Sequence, residues 1–261
     1  MLDHIQISKT DCGAAILVGD PARVSFICQL FGYERLLTSA RGLLIAETRI
    51  GEWPILVACT GIGGPSCAIV IEELAMLGIS MMVRLGTCGA LSPSLSPGDI
   101  VVSTAAVRDE GTSRQYVSQI YPAVACVELC TNVITALQNT HHRVVAGITH
   151  SKDAYYLEKA ALQPNAGQNE AGIQWEVWRE AGVLVTDMET STLYVLGGLR
   201  GIQVVSTLVV VGEDKSDARI SKGLTDACKA IGAVLSKMRA QNSGNTTTRS
   251  ASSLLDQIGT D

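Results

Sequence analysis

Residues 79–90 read ISMMVRLGTCGA: an apolar run, then Arg84, then a Gly-Thr-Cys-Gly turn. An apolar run of this length bounded by glycines reads as a strand buried in a sheet. Arg84 interrupts it. A guanidinium keeps its proton at any physiological pH, and burying it without an anion is very costly. The arginine therefore either reaches the surface or awaits an anion, beside glycines that let a backbone come close.

Outward from this stretch, short apolar runs alternate with helical patterns. Strands are predicted at 14–19 (AAILVG), 54–61 (PILVACTG), 81–86, 99–107, 144–151 and 204–212. Helices are predicted at 21–32 behind Pro21, at 65–78 between Pro65 and Gly78, and at 127–140, 174–182, 189–201 and 224–240. That alternation predicts an α/β fold whose sheet is covered on both faces. A chain of 261 residues suits one large domain, taken as residues 1–240. From 241 to 261 the composition turns to Ser, Thr, Asn and Arg, which reads as a polar, mobile tail.

Composition narrows the function. The chain is 47% hydrophobic and 17% charged, as in a folded enzyme or binding domain. A net charge of −5 leaves no electrostatic footprint for nucleic acid, so the anion that Arg84 awaits is small and bound locally. The eight cysteines form no C-x-x-C pair and no metal-ligand spacing, which reads as reduced, mostly buried thiols and no metal site. The opening MLDHIQISKTD is polar and no apolar run approaches ~18–20 residues, so a cytoplasmic protein without a membrane span is expected.

Three glycine junctions carry the chemistry. VGDPARV (18–24) sets Gly19 at a strand end and Arg23 in the first turn of a helix, where backbone N–H groups favour anions. TGIGGPS (60–66) is a second such junction; with Ser66 where a third glycine would stand, it is a weak dinucleotide fingerprint. RLGTCGA (84–90) adds Arg84 and the Thr87 hydroxyl. Side by side at one sheet edge, two arginines and a threonine describe a phosphate site. TDMETSTL (186–193) places Met188 and Glu189 at a strand-to-helix junction. There the carboxylate can either accept from a vicinal diol or complement a helix dipole.

These stretches together resemble the nucleoside phosphorylase family of the purine and uridine phosphorylase type. The likeness runs from about His4 to Gly212 and includes RDEGTS (108–113), YPAV (121–124), KDAYY (152–156) and WEVWREAG (175–182), the last two most like uridine phosphorylases. The resemblance implies a three-layer α/β fold around a mixed, partly barrel-like sheet. It implies phosphorolysis of a nucleoside, a pyrimidine nucleoside such as uridine favoured, with inorganic phosphate as co-substrate and no cofactor. It also implies a homodimer as the minimal active unit, with dimer and hexamer both open as the assembly. By the same match, Gly19, Arg23, Arg84 and Thr87 hold phosphate, joined by Arg41 from a neighbouring subunit. Met188, Glu189 and a neighbour's His4 meet the ribose, and Arg84 and Glu189 carry the catalysis.

Around the base the match sets Thr87, Cys88, Gly89, Tyr155, Val211 and Gly212. Uridine phosphorylases follow the KDAYY-like stretch with a glutamine and an arginine that read uracil. Here LEKAALQPNAGQ (157–168) has no arginine, leaving Lys159, Gln163 or Gln168 as stand-ins. The general acid of purine phosphorylases would fall at Gly212, with Glu213 and Asp214 adjacent. A purine nucleoside phosphorylase, a hydrolase of the same fold and a non-catalytic nucleoside binder stay open as alternatives.

Overall fold

A computed structural model describes residues 2–157, 170–214 and 216–244. The strands are β1 (Ala14–Val18), β2 (Arg35–Thr38), β3 (Ile45–Ile50), β4 (Trp53–Cys59), β5 (Met81–Ala90), β6 (Ile100–Asp109), β7 (Ala123–Val124), β8 (Val144–Lys152), β9 (Val185–Asp187) and β10 (Gln203–Val211). The helices are α1 (Pro21–Leu30), α2 (Gly64–Met76), α3 (Ser113–Tyr116), α4 (Val127–Leu137), α5 (Glu170–Glu180), α6 (Thr190–Arg200) and α7 (Ala218–Gly244).

All ten strands belong to one mixed sheet ordered β10-β6-β8-β9-β5-β1-β4-β3-β2, with β7 on β6. Because β10 also pairs with β5, in parallel from Gln203↔Met81 to Val211↔Gly89, five strands close into a ring. The open wing β1-β4-β3-β2 extends from β5. Cys88, Val101, Val185, Leu208 and Val210 pack with Leu95 as a cluster of their own. A much larger core joins the wing strands to residues of α1, α2, α4, α6 and α7. The resulting fold is a mixed, barrel-like sheet flanked by helices, as the resemblance implied. All eight cysteines are free, and all but Cys126 are buried.

Three sequence expectations change. The Gly-Thr-Cys-Gly segment is not a turn: β5 runs on through Ala90, and Arg84 lies within the strand rather than at its end. Gly86 is required by closeness, because a Cβ there would lie 2.8 Å from Leu208 Cδ2 and 3.0 Å from Arg84 Cζ. The pair β2–β3, antiparallel with a register shift between Leu36 and Thr38, was not predicted; β2 is mostly exposed and carries no clean alternation. The last helix starts at Ala218, not 224, and continues past 240 to Gly244. No helix among the described residues is long and apolar enough to cross a membrane.

Candidate active site

Arg84 is only 4% exposed, and strand geometry turns its side chain toward the start of α6. Its Nε donates to Asp187 Oδ2 at 3.3 Å, and its Nη2 donates to Glu189 Oε2. Its Nη1 is buried with no hydrogen-bond partner among the described residues. Burial works against the Arg84 charge, but Glu189 and Asp187 outweigh it and hold the guanidinium above its ordinary value. The cation anticipated in the sequence is thus buried, doubly anchored, and left with one donor to give.

Both anchors come from the β9–α6 junction. Asp187 ends β9 and takes the N–H of Thr190 at 3.1 Å, the Thr190 hydroxyl at 2.6 Å and the Ser151 hydroxyl at 2.7 Å. It therefore serves the first turn of α6 as a capping residue would. Glu189 occupies the N-cap position, yet its side chain makes no cap bond. Instead Glu189 Oε1 accepts from Gly63 N at 2.7 Å. Burial, and Asp187 nearby, push the Glu189 carboxyl above the usual carboxylate range, although Arg84 pulls the other way. Of the two sequence readings, the dipole role passes to Asp187, and Glu189 faces the site.

The glycine junctions meet here. Gly19 follows β1, and a Cβ on it would stand 3.4 Å from Gly61 O. Gly61 and Gly63 adopt positive φ angles of 66° and 86°, which present the Gly63 N–H to Glu189. Asp20 caps α1 by accepting from Ala22 N at 2.9 Å. Arg23, half-buried in the first turn of α1, is held below its ordinary value by burial; Asp20 opposes this, and the charge of Arg84 adds to it. A half-buried guanidinium in the first turn of a helix is a setting that an anion would favour.

Beside them, Thr87 and Gly89 are partly open. Gly89 pairs with Thr186 of β9, so these residues share a face of the sheet. Thr186 Oγ1 accepts from the buried Lys152 Nζ, which lies 6.0 Å from the centre of the Trp175 ring. Met188, Val211 and Gly212 are half-buried at the same rim, and Tyr155 is exposed and in edge contact with Tyr156. The Cys88 side chain is buried and packs in the cluster of Leu95, Val101 and Leu208. Glu213 and Asp214 are exposed, and the Ser216 hydroxyl and N–H hold the Asp214 carboxyl below its ordinary value. Lys159, Gln163 and Gln168 lie outside the described residues.

His4 and Arg41 stand apart from this cluster. Glu73 ties down His4, accepting from its main-chain N–H at 3.0 Å and meeting its Nδ1 at 2.7 Å. Arg41 is exposed in a single 3-10 turn, with φ 56° and ψ 21° in the left-handed region that non-glycine residues avoid. No ion-pair partner for it is found among the described residues.

Sequence reasoning missed Asp187, Ser151 and Thr190. Asp187 stood inside the quoted TDMETSTL, and a short acidic residue before a helix is a capping signal. Ser151 reaches the site only because β8 and β9 pair in register, Ser151 opposite Asp187.

A sequence profile described as the Phosphorylase superfamily matches residues 14–240. A uridine phosphorylase of Treponema pallidum (strain Nichols) is 33% identical over 226 residues, covering 85% of each chain. A guanosine phosphorylase of Halorubrum lacusprofundi is 33% identical over 210 residues, 80% of this chain and 82% of the relative. The crystal structure of uridine phosphorylase from Vibrio fischeri ES114 aligns with a TM-score of 0.82 at 30% identity, over 90% of this chain and 97% of that one.

Proposed function

The chain belongs to the phosphorylase superfamily, and from that membership we propose that it cleaves a nucleoside with inorganic phosphate. The products are the free base and (deoxy)ribose 1-phosphate. The observation that carries the reading is the buried Nη1 of Arg84, which has no hydrogen-bond partner among the described residues. A hydrolase that uses water needs no such donor.

In this reading Arg84, Arg23, the Gly19 main chain and Thr87 hold phosphate below the sugar. Glu189 and Met188 hold the ribose. The C1′–N bond breaks with its electron pair on the base, a phosphate oxygen bonds to C1′ from the opposite face, and the base takes a proton from water as it leaves. Fixed cations orient the dianion without reorganising at the moment of reaction, and the phosphate charge stabilises the cationic sugar. Residues 1–240 form the catalytic unit, cytoplasmic and without added cofactor. Arg41 and His4 act in a partner's site, with a homodimer as the smallest active form.

A pyrimidine nucleoside is the favoured substrate. Gly212 stands where a purine acid would fall, and Asp214, held ionised by Ser216, is poorly suited to donate a proton. The guanosine phosphorylase relative supports a second reading, a 6-oxopurine nucleoside. Assays with uridine, thymidine, inosine and adenosine, each with and without phosphate, test both. Phosphate-dependent release of sugar 1-phosphate is expected, fastest from uridine. Base release without phosphate would replace the reading with hydrolysis, and a lead for inosine would move the substrate to purines.

A further inference from the structure

Glu110 has no direct part in the phosphate or ribose sites, yet it is a carboxylate only 3% exposed, one residue past the end of β6. Burying a carboxylate is costly unless its oxygens are used, and here both are. Oε2 accepts from the main-chain N–H groups of Thr112 at 2.6 Å and Ser113 at 2.9 Å. Oε1 accepts from the Ser191 hydroxyl at 3.0 Å. The neighbouring Arg108 spends its guanidinium elsewhere, on Ser113 Oγ and the carbonyls of Val117, Ser118 and Tyr121. Glu110 thus clasps the start of α3 with one oxygen and the first turn of α6 with the other.

Two paths lead from Glu110 to the two carboxylates that anchor Arg84. On the first, Ser191 also donates its main-chain N–H to Ser151 Oγ at 3.0 Å, and that hydroxyl donates to Asp187 Oδ1 at 2.7 Å. Asp187 Oδ2 in turn takes Arg84 Nε. Each serine hydroxyl on this path has one proton, directed at a carboxylate, so the sense of every bond is fixed. Ser151 and Ser191 are fully buried, and bulk water does not replace a bond lost there. On the second path, a Cβ on Gly64 would lie 2.5 Å from Thr112 Oγ1, so Thr112 is packed directly on the first residue of α2. The residue before it, Gly63, gives its N–H to Glu189 Oε1.

Resting on the phosphorolysis reading, we propose that Glu110 is a positioning residue for the reaction. It holds the first turn of α6 and the seat of Thr112 on α2 in one register, so that Asp187 and Glu189 present the Arg84 guanidinium to phosphate at a fixed angle. Its effect is geometric: misplacing a group at the reacting centre by ~1 Å can cost about 10²-fold in rate. Glutamine at this position would carry one acceptor oxygen and an amide with two donors. Either the Ser191 hydroxyl or the Thr112 and Ser113 N–H groups would then lose their acceptor.

The test compares the full-length enzyme with Glu110→Gln and Ser191→Ala. Values of kcat and KM are measured for phosphate and for the faster of uridine and inosine, and calorimetry follows phosphate binding. Affinity does not depend on the fraction of folded enzyme, which shows instead in the stoichiometry and in kcat. Glu110→Gln is expected to weaken phosphate binding and raise phosphate KM about 10-fold or more. It should raise the nucleoside KM as well, because both paths start from this carboxylate. Ser191→Ala cuts only the path to Asp187. It should raise phosphate KM by less and leave the nucleoside KM near that of the unaltered enzyme, and it decides the matter if Glu110→Gln does not fold. Unchanged phosphate KM and affinity in either folded variant overturn the proposal, and so does a fall in kcat alone, the mark of a smaller folded fraction. An unaltered enzyme that releases base without binding phosphate would sink the phosphorolysis reading. Phosphate-dependent turnover indifferent to Glu110 would sink this inference alone.

Discussion

Arg84 Nε and Asp187 Oδ2 lie 3.3 Å apart, and the same oxygen takes the Thr190 hydroxyl at 2.6 Å. One carboxylate therefore fixes both a cation and the first turn of α6. The cation is oriented by folding itself, so ligand binding need not order it.

Replacing Arg84 with Met is expected to lower kcat/KM at least ~10²-fold, through loss of a preorganised charge. It also leaves Asp187 and Glu189 facing one another without their cation, and losing one partner of a buried pair costs about 3–5 kcal/mol of stability. Arg84→Lys should restore part of the stability and little activity, because one ammonium cannot reproduce a fork that serves two carboxylates and a ligand. Phosphate KM and thermal unfolding of the two variants separate these effects. Near-normal activity of Arg84→Met at limiting phosphate would refute the clamp.

Gly86→Ala tests the closeness of guanidinium and strand. The added methyl would lie 2.8 Å from Leu208 Cδ2 and 3.0 Å from Arg84 Cζ and Nη2. Overpacking of this kind costs about 1–3 kcal/mol, and the shifted guanidinium should raise phosphate KM. A variant with wild-type melting temperature and wild-type phosphate KM would show that the strand yields freely at this point.

Glu73 gives the N-terminal segment a pH dependence. Burial pushes its carboxyl up, but N–H donors from Ile5 and His4, with the His4 ring, outweigh burial and hold it below its ordinary value. A carboxyl lowered by folding contributes stability that is complete above its unfolded value, near ~4.3, and drains away as pH falls through the folded value. Proteolysis near His4 should accelerate on acidification below that range. In Glu73→Gln cleavage should already be fast at neutral pH, and should lose this part of its pH dependence. Equal acid sensitivity in both proteins would assign the effect elsewhere.

The shared-site arrangement predicts complementation. Arg84→Ala and Arg41→Ala should each be nearly inactive alone, and refolding them together should restore activity, since one site of each mixed dimer keeps both arginines. Mixtures no more active than their components would place Arg41 outside the site, and full activity in a monomer on sedimentation would do the same.

How much of this was legible depended on distance along the chain. The alternation from Ala14 to Cys59, and again from Val144 to Val211, made most of the strands and helices plain, because apolar period and Pro and Gly boundaries are local. Arg84 was legible as a cation inside an apolar run, and Gly19, Arg23 and Glu189 as residues at strand-to-helix junctions. The glycines of β5 misled: their flexibility suggests a turn, whereas Gly86 serves the close approach of a guanidinium and a leucine. Asp187 was legible as a capping residue but not as the partner of Arg84, and Ser151 not at all, since their positions depend on β9 pairing with both β5 and β8. Ring closure by β10 onto β5 is likewise a pairing over more than a hundred residues, which no local pattern encodes.

Ring closure has a consequence for aggregation. Among the described strands, only β2, four residues long, and the two-residue β7 lie at an edge of the sheet. At β2, Arg35 is bound to Glu47 of β3, and so short an edge offers an added chain few main-chain partners. QVVSTLVVV, the uncharged and strongly β-prone segment of β10, is enclosed between β5 and β6. Such a segment is the kind that nucleates fibrils when exposed. The folded ring keeps it sequestered, so self-association through stacked strands should track the population of opened molecules rather than the concentration of native ones.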